Sequence, residues 1–134
     1  PNAGPTPAKD AYTGAPFKVN RRYAETFSDR WVILSAKYGF IDPDFIIPEN
    51  YNVTFKKPST NPVSIDALKK QIIEMGLDKY DKIVVLGGKE YVNAVTKAFE
   101  EYNVKIEAPL KDLPLGKAMK KVKEALSTGK PFDC

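Results

Sequence analysis

The chain contains no histidine and one cysteine, Cys134. That excludes disulfide frameworks, zinc sites built on Cys and His, and any mechanism needing a Cys–His or Ser–His pair within this chain. No apolar run approaches the ~20 residues of a membrane span, and nothing has the layout of a signal peptide. Neither GxGxxG nor GK[ST] occurs, so the Rossmann and P-loop fingerprints are missing. Internal repeats and low-complexity segments are also absent. Glutamine appears once, at Gln71, among many lysines and glutamates, a composition that leans toward a thermophile. The absences point to a cytoplasmic protein with no membrane or metal partner and no implied cofactor.

The 134 residues suit a single domain, 1–134, with enough chain to bury a core unaided. Hydrophobic content of 43% and charged content of 28% are those of an ordinary globular protein. The net charge of +4 is uneven: residues 1–40 carry six basic and three acidic side chains, 41–110 nine and eleven, and 111–130 six and two. If the two ends converge, Lys18, Arg21, Arg22, Arg30 and Lys37 meet the Lys117–Lys123 cluster, and such a patch attracts phosphates. Lys18, Arg21, Arg22, Lys117, Lys120 and Lys121 are the nucleic-acid candidates. Solvated, lysine-rich helix faces are the plain alternative.

Residues 1–15 hold three prolines and two glycines and read as coil. Phe17, Tyr23, Ala24 and Phe27 recur at helical spacing, predicting a helix over 16–28 opened by Pro16. Residues 31–35 read as a strand buried on both faces. A long loop over 41–62 follows, with Pro43, Pro48, Pro58 and Pro62 and a short strand at Tyr51–Phe55. Ser64 caps a second helix whose stripe is Ile65, Leu68, Ile72 and Met75, ended by Gly76. Lys82–Leu86 is the second strand and runs into Gly87-Gly88. A third helix buries Tyr91, Val92, Val95, Phe99 and Tyr102, and Val104–Glu107 is an edge strand. The last helix, 115–128, buries Leu115, Met119, Val122 and Leu126 and stops at Gly129. Alternating strands and helices predict an α/β fold of three layers, with a mainly parallel central sheet. Three strands are few for this much helix, and no strand precedes the first helix. The expectation is a natural first strand that this chain lacks.

Strand ends are where α/β proteins hold ligands. The run Trp31-Val32-Ile33-Leu34-Ser35-Ala36-Lys37-Tyr38-Gly39-Phe40 stops abruptly at small and polar residues, then enters Asp42-Pro43-Asp44 and reaches Tyr51. Together with Tyr12-x-Gly14, this stretch resembles a family of small, uncharacterised bacterial and archaeal α/β proteins. More distantly it is similar to the YaaA peroxide-stress proteins, which carry Tyr-Arg-Gly and Leu-Ser-x-x-Tyr-Gly-Leu-x-x-Pro elements. The resemblance runs from about Tyr12 to the last helix and is strongest over 33–51. Family members begin with a strand ending in a Ser-Cys-type turn, which this chain lacks. The YaaA likeness implies DNA binding and protection against oxidative damage, hence nucleotide or nucleic-acid handling. The family match also implies a site-lining role for Tyr12 and Gly14.

Ser35 and Lys37 supply a hydroxyl and an ammonium for a phosphate or base edge, or else a local backbone bond and a solvated charge. Tyr38 stacks on a base or closes the core. Gly39 supplies a positive φ. Tyr51 completes the matched stretch. Gly87 and Gly88 offer free N–H groups at a helix start. Asp42, Asp44 and Lys37 are the catalytic candidates, with a carboxylate as acid or base at a glycosidic bond, although Asp-Pro-Asp is also an ordinary turn. Three readings follow: a nucleotide-binding protein acting on a nucleobase or glycosidic bond, a DNA- or RNA-binding protein without chemistry, and an interaction domain of a larger protein.

Overall fold

The computed structural model describes residues 5–12, 14–48, 51 and 53–132. Cys134 lies outside the described residues, as do the start and one position of the predicted 1–15 coil. The described residues divide into two compact units, one within Pro1–Ile33, Ile41–Asn50 and Leu113–Cys134, the other within Leu34–Phe40 and Tyr51–Asp112. The whole is a mixture of helices and short strands.

In the first unit the expected coil carries structure. β1 (Thr6–Pro7) pairs antiparallel with β4 (Ile46–Ile47), and one helical turn, α1 (Ala8–Ala11), follows it. The prolines disguise this segment, since a Pro on a two-residue edge strand loses little by lacking an N–H. Ala8 and Lys9 donate their backbone N–H groups to the carbonyls of Phe45 (2.7 Å) and Pro43 (2.9 Å). α2 (Ala15–Phe27) has Gly14 at its N-cap and Pro16 in the first turn, where a missing N–H costs nothing. It packs on α5 (Leu115–Thr128) through Val19 and Tyr23 on one side and Ala118, Val122 and Ala125 on the other. The predicted α5 stripe is therefore rotated: Leu115 is 63% exposed, and small alanines take the interface so that the helices approach closely. Gly129, at φ 71°, ends α5 as expected.

β2 (Ile33–Ser35) and β3 (Gly39–Ile41) form a hairpin whose turn, 36–38, belongs to the second unit. A connection this short requires antiparallel strands. The predicted strand at Tyr51–Phe55 does not form at its described residues. There the chain makes a turn and a 3₁₀ turn at Pro58–Thr60, and the Thr60 hydroxyl bonds the carbonyl of Thr54 at 3.0 Å. Pro58 and Pro62 have no N–H to give to a ladder.

α3 (Ile65–Met75) starts at Ser64, whose hydroxyl accepts from the Ala67 N–H at 3.1 Å, and ends at Gly76 with φ 67°. It buries Leu68 and Ile72 against α4 (Lys89–Ala98), whose inner face carries Val92, Val95 and Ala98. Phe40 and Phe99 meet edge-on in the same core, with ring centres 6.1 Å apart. β5 (Lys82–Val84) and β6 (Lys105–Glu107) pair in parallel, Lys82 with Lys105 and Val84 with Glu107, with α4 between them in the chain. This is the crossover that the strand–helix–strand pattern predicts. No described helix is long and apolar enough to cross a membrane.

Candidate functional site

The hairpin turn after β2 is held from every side. Ser35 is buried, at 2% exposure, and its hydroxyl accepts the backbone N–H groups of Lys37 (3.2 Å) and Tyr38 (3.0 Å). With both lone pairs engaged, its proton goes to the hydroxyl oxygen of Tyr51, 2.9 Å away. Ser35 thus ties Tyr51 to the turn, and its oxygen has no acceptor capacity left for a ligand donor.

Across the turn, the Gln71 amide reaches from α3 and makes two bonds. Its oxygen accepts the Phe40 N–H at 2.8 Å, and its nitrogen donates to the Tyr38 carbonyl at 2.9 Å. Gly39 lies between these two bonds with φ 78°, and a Cβ there would come within 2.1 Å of the Gln71 amide oxygen. Only glycine meets both demands. The Ala36 carbonyl accepts the Val63 N–H at 2.6 Å, fixing the start of the turn as well.

What this frame presents is Lys37. Its ammonium lies 5.3 Å from the ring centre of Tyr38 and 5.8 Å from that of Tyr51, and the two rings meet edge-on at 5.7 Å. Lys37 is exposed and takes part in no ion pair among the described residues. An ammonium between two half-buried tyrosines, with no described carboxylate neutralising it, suits an anion attached to a flat ring.

Tyr91 extends the cluster. Burial pushes its hydroxyl above the usual tyrosine range, the nearby Tyr51 and Glu90 push it the same way, and a hydrogen bond with Thr54 opposes them. Its ring meets Phe55 edge-on at 5.0 Å. Gly87 and Gly88 precede α4, and Gly87 lies against the Tyr91 side chain. Ser35, Lys37, Tyr38, Gly39, Tyr51, Gly87 and Gly88 therefore all belong to one unit.

The remaining candidates lie in the other unit. Tyr12 packs on Phe17 at 5.1 Å, and Gly14 caps α2. Asp42 and Asp44 are exposed, and each faces a cation: Arg30 at 3.4 Å and Lys9 at 3.1 Å. Lys18, Arg22, Lys117 and Lys120 are exposed on α2 and α5. Arg21 is bound to Asp10 (3.2 Å) and Glu25 (3.3 Å); burial is the largest single effect and lowers its pKa, but the hydrogen bonds and charges of the two carboxylates together outweigh it and raise the pKa above the usual arginine value. Lys121 covers the Phe132 ring at 5.1 Å. A shallow furrow along α5, lined by Gly116, Met119, Lys120, Lys123, Glu124 and Ser127, contains Lys120 alone of the six nucleic-acid candidates. Among the described residues, no group of three or more His, Cys, Asp or Glu is placed to hold a metal ion.

Gln71 and Tyr91 were not among the sequence candidates. Gln71 is the only glutamine, which was the one available signal, and Tyr91 reads as part of an ordinary helical stripe.

A family model described as "Family of unknown function (DUF6884)" matches residues 2–124. The "Uncharacterized protein YfjM" of Bacillus subtilis (strain 168) is 41% identical over 102 residues, covering 76% of this chain and 68% of that protein. No solved structure gives a significant match.

Proposed function

We propose, from the premise that the chain belongs to the DUF6884 family of unknown function, that it binds a nucleotide, either free or as a unit of a nucleic-acid strand. The observation that carries this reading is the Lys37 ammonium between the rings of Tyr38 and Tyr51, with no carboxylate paired to it among the described residues. Lys37 meets a phosphate, and a tyrosine face takes the base. Base–aromatic stacking contributes ~1–3 kcal/mol and tolerates any base. The likeness of residues 33–51 to the YaaA proteins points the same way. In this reading the parallel β5–β6 pair belongs to the central sheet of a three-layer fold in a cytoplasmic protein, with the site beyond its carboxyl end.

The reading rests on binding. Asp42 and Asp44, the carboxylates a glycosidic-bond reaction would use, stand in exposed ion pairs. The basic residues of α2 and α5 support a second reading, in which a longer strand lies along that face.

Calorimetric titration with adenosine 5′-monophosphate tests the proposal, with inorganic phosphate as the comparison. Nucleotide should bind at least about tenfold more tightly than phosphate, and Tyr38→Leu or Lys37→Gln should each weaken it by about tenfold. Equal binding of nucleotide and phosphate, or no nucleotide binding at millimolar concentration, rejects the reading. Chromatography of the titrated nucleotide tests for chemistry: released base that disappears in Asp42→Asn or Asp44→Asn would restore the catalytic role.

A further inference from the structure

We infer that Gln71 is a positioning residue of this site: its amide holds the Ala36–Gly39 turn in the one shape that puts Lys37 and Tyr38 beside Tyr51. The inference rests on the nucleotide reading and adds a residue that touches no ligand.

Gln71 bonds the backbone on both sides of Gly39, accepting from Phe40 and donating to the Tyr38 carbonyl. A single amide can do both at once because it carries a donor and an acceptor on one planar group. Ser35 fixes the other half of the turn through Lys37 and Tyr38, and Val63 fixes Ala36. The Lys37 and Tyr38 N–H groups, the Ala36 and Tyr38 carbonyls and the Phe40 N–H are therefore all committed. A turn that merely reversed the chain would need one bond, and it would tolerate water on the rest. Commitment of five groups in so short a turn is what a preorganised binding loop requires, since affinity falls in proportion to the fraction of molecules holding the competent shape. The glycine at position 39 is part of the same device, because a side chain there would displace the Gln71 amide.

Gln71→Glu and Gln71→Met provide the test. Glu keeps the size and the acceptor but, once ionised, loses the donor and turns a carboxylate oxygen toward the Tyr38 carbonyl. Protonated, its carboxyl again donates and accepts, so both bonds can re-form. Three measurements are made on the full chain: melting temperature, hydrogen exchange of the Phe40 amide, and affinity for adenosine 5′-monophosphate relative to wild type at each pH from 4 to 8. For Gln71→Met, exchange at Phe40 should quicken and affinity should fall by about tenfold, the loss expected when two hydrogen bonds holding the shape are gone. For Gln71→Glu, the affinity ratio should be low at pH 8 and recover toward one as the carboxyl protonates. Taking the ratio to wild type removes the ligand's own titration.

If wild type binds nucleotide and both variants bind equally well at every pH, Gln71 does not position the site. Unchanged exchange at Phe40 overturns the clamp whether or not nucleotide binds. Absence of wild-type binding overturns the nucleotide reading alone, because the exchange measurement needs no ligand. Should Gln71→Met fail to fold, the change in the Gln71→Glu affinity ratio between pH 8 and pH 4 still decides the matter, a ratio near one throughout overturning the clamp.

Discussion

Tyr91 is half-buried beside Tyr51, and that burial is the main reason its proton is held above the ordinary value of 10.0. The folded chain binds this proton more tightly than the unfolded chain does. Its contribution is therefore complete below the unfolded value and is lost as pH rises through the folded one. The chain has seven tyrosines, so the Tyr91 step is isolated by difference. Comparing the absorbance of wild type and Tyr91→Phe should show the missing step centred above pH 10, and the variant should lose less stability than wild type across that window. A missing step at or below the ordinary tyrosine value would place Tyr91 in water. At this scale the sequence was informative where neighbours in the chain are neighbours in space, as with Ser35, Lys37 and Tyr38. Gln71 and Tyr38 are 33 positions apart, so no local pattern announces their bond.

The ends of α2, α3 and α5 were legible because capping is local chemistry: Pro16, Ser64, Gly76 and Gly129 each act within a turn of where they stand. The face that α5 buries was not. Spacing of large apolar residues selected Leu115, Met119, Val122 and Leu126, whereas contact with α2 selects Ala118, Val122 and Ala125. A close helix pair rewards small side chains, which a search for bulky ones overlooks. Urea denaturation should therefore rank the substitutions in an order the stripe would not suggest. Leu115→Ala should change stability by less than about 0.5 kcal/mol, Val122→Ala should cost about 2 kcal/mol, and Ala125→Leu should cost roughly 1–3 kcal/mol by overpacking. Equal costs for Leu115→Ala and Val122→Ala would mean that α5 is turned the other way. β1, β3 and β4 went unseen for a different reason. Each is two or three residues long, too short for period-two alternation to register.

Across the whole molecule the net charge of +4 is modest, and its exposed basic members on α2 and α5 belong to the first unit. Replacing Lys117 and Lys120 together by Glu lowers the net charge from +4 to zero while leaving Lys121 on Phe132. If a nucleic-acid strand lies along that face, the double variant should bind a 20-nucleotide single strand more weakly and show a salt slope shallower by about two contacts. An unchanged salt slope in fluorescence anisotropy would remove α5 from the interface and leave the Lys37 site alone. The packing of α2 on α5 also bears on how the protein is made. The Phe132 N–H bonds the Tyr23 hydroxyl across 109 positions of sequence, and the apolar side of α2 meets its cover only in α5, far along the chain. During translation, Val19 and Tyr23 emerge long before Val122 does. The first unit can close only once α5 has emerged, so the nascent chain carries an uncovered apolar helix face through the synthesis of the intervening residues, the kind of exposed surface on which growing chains associate wrongly.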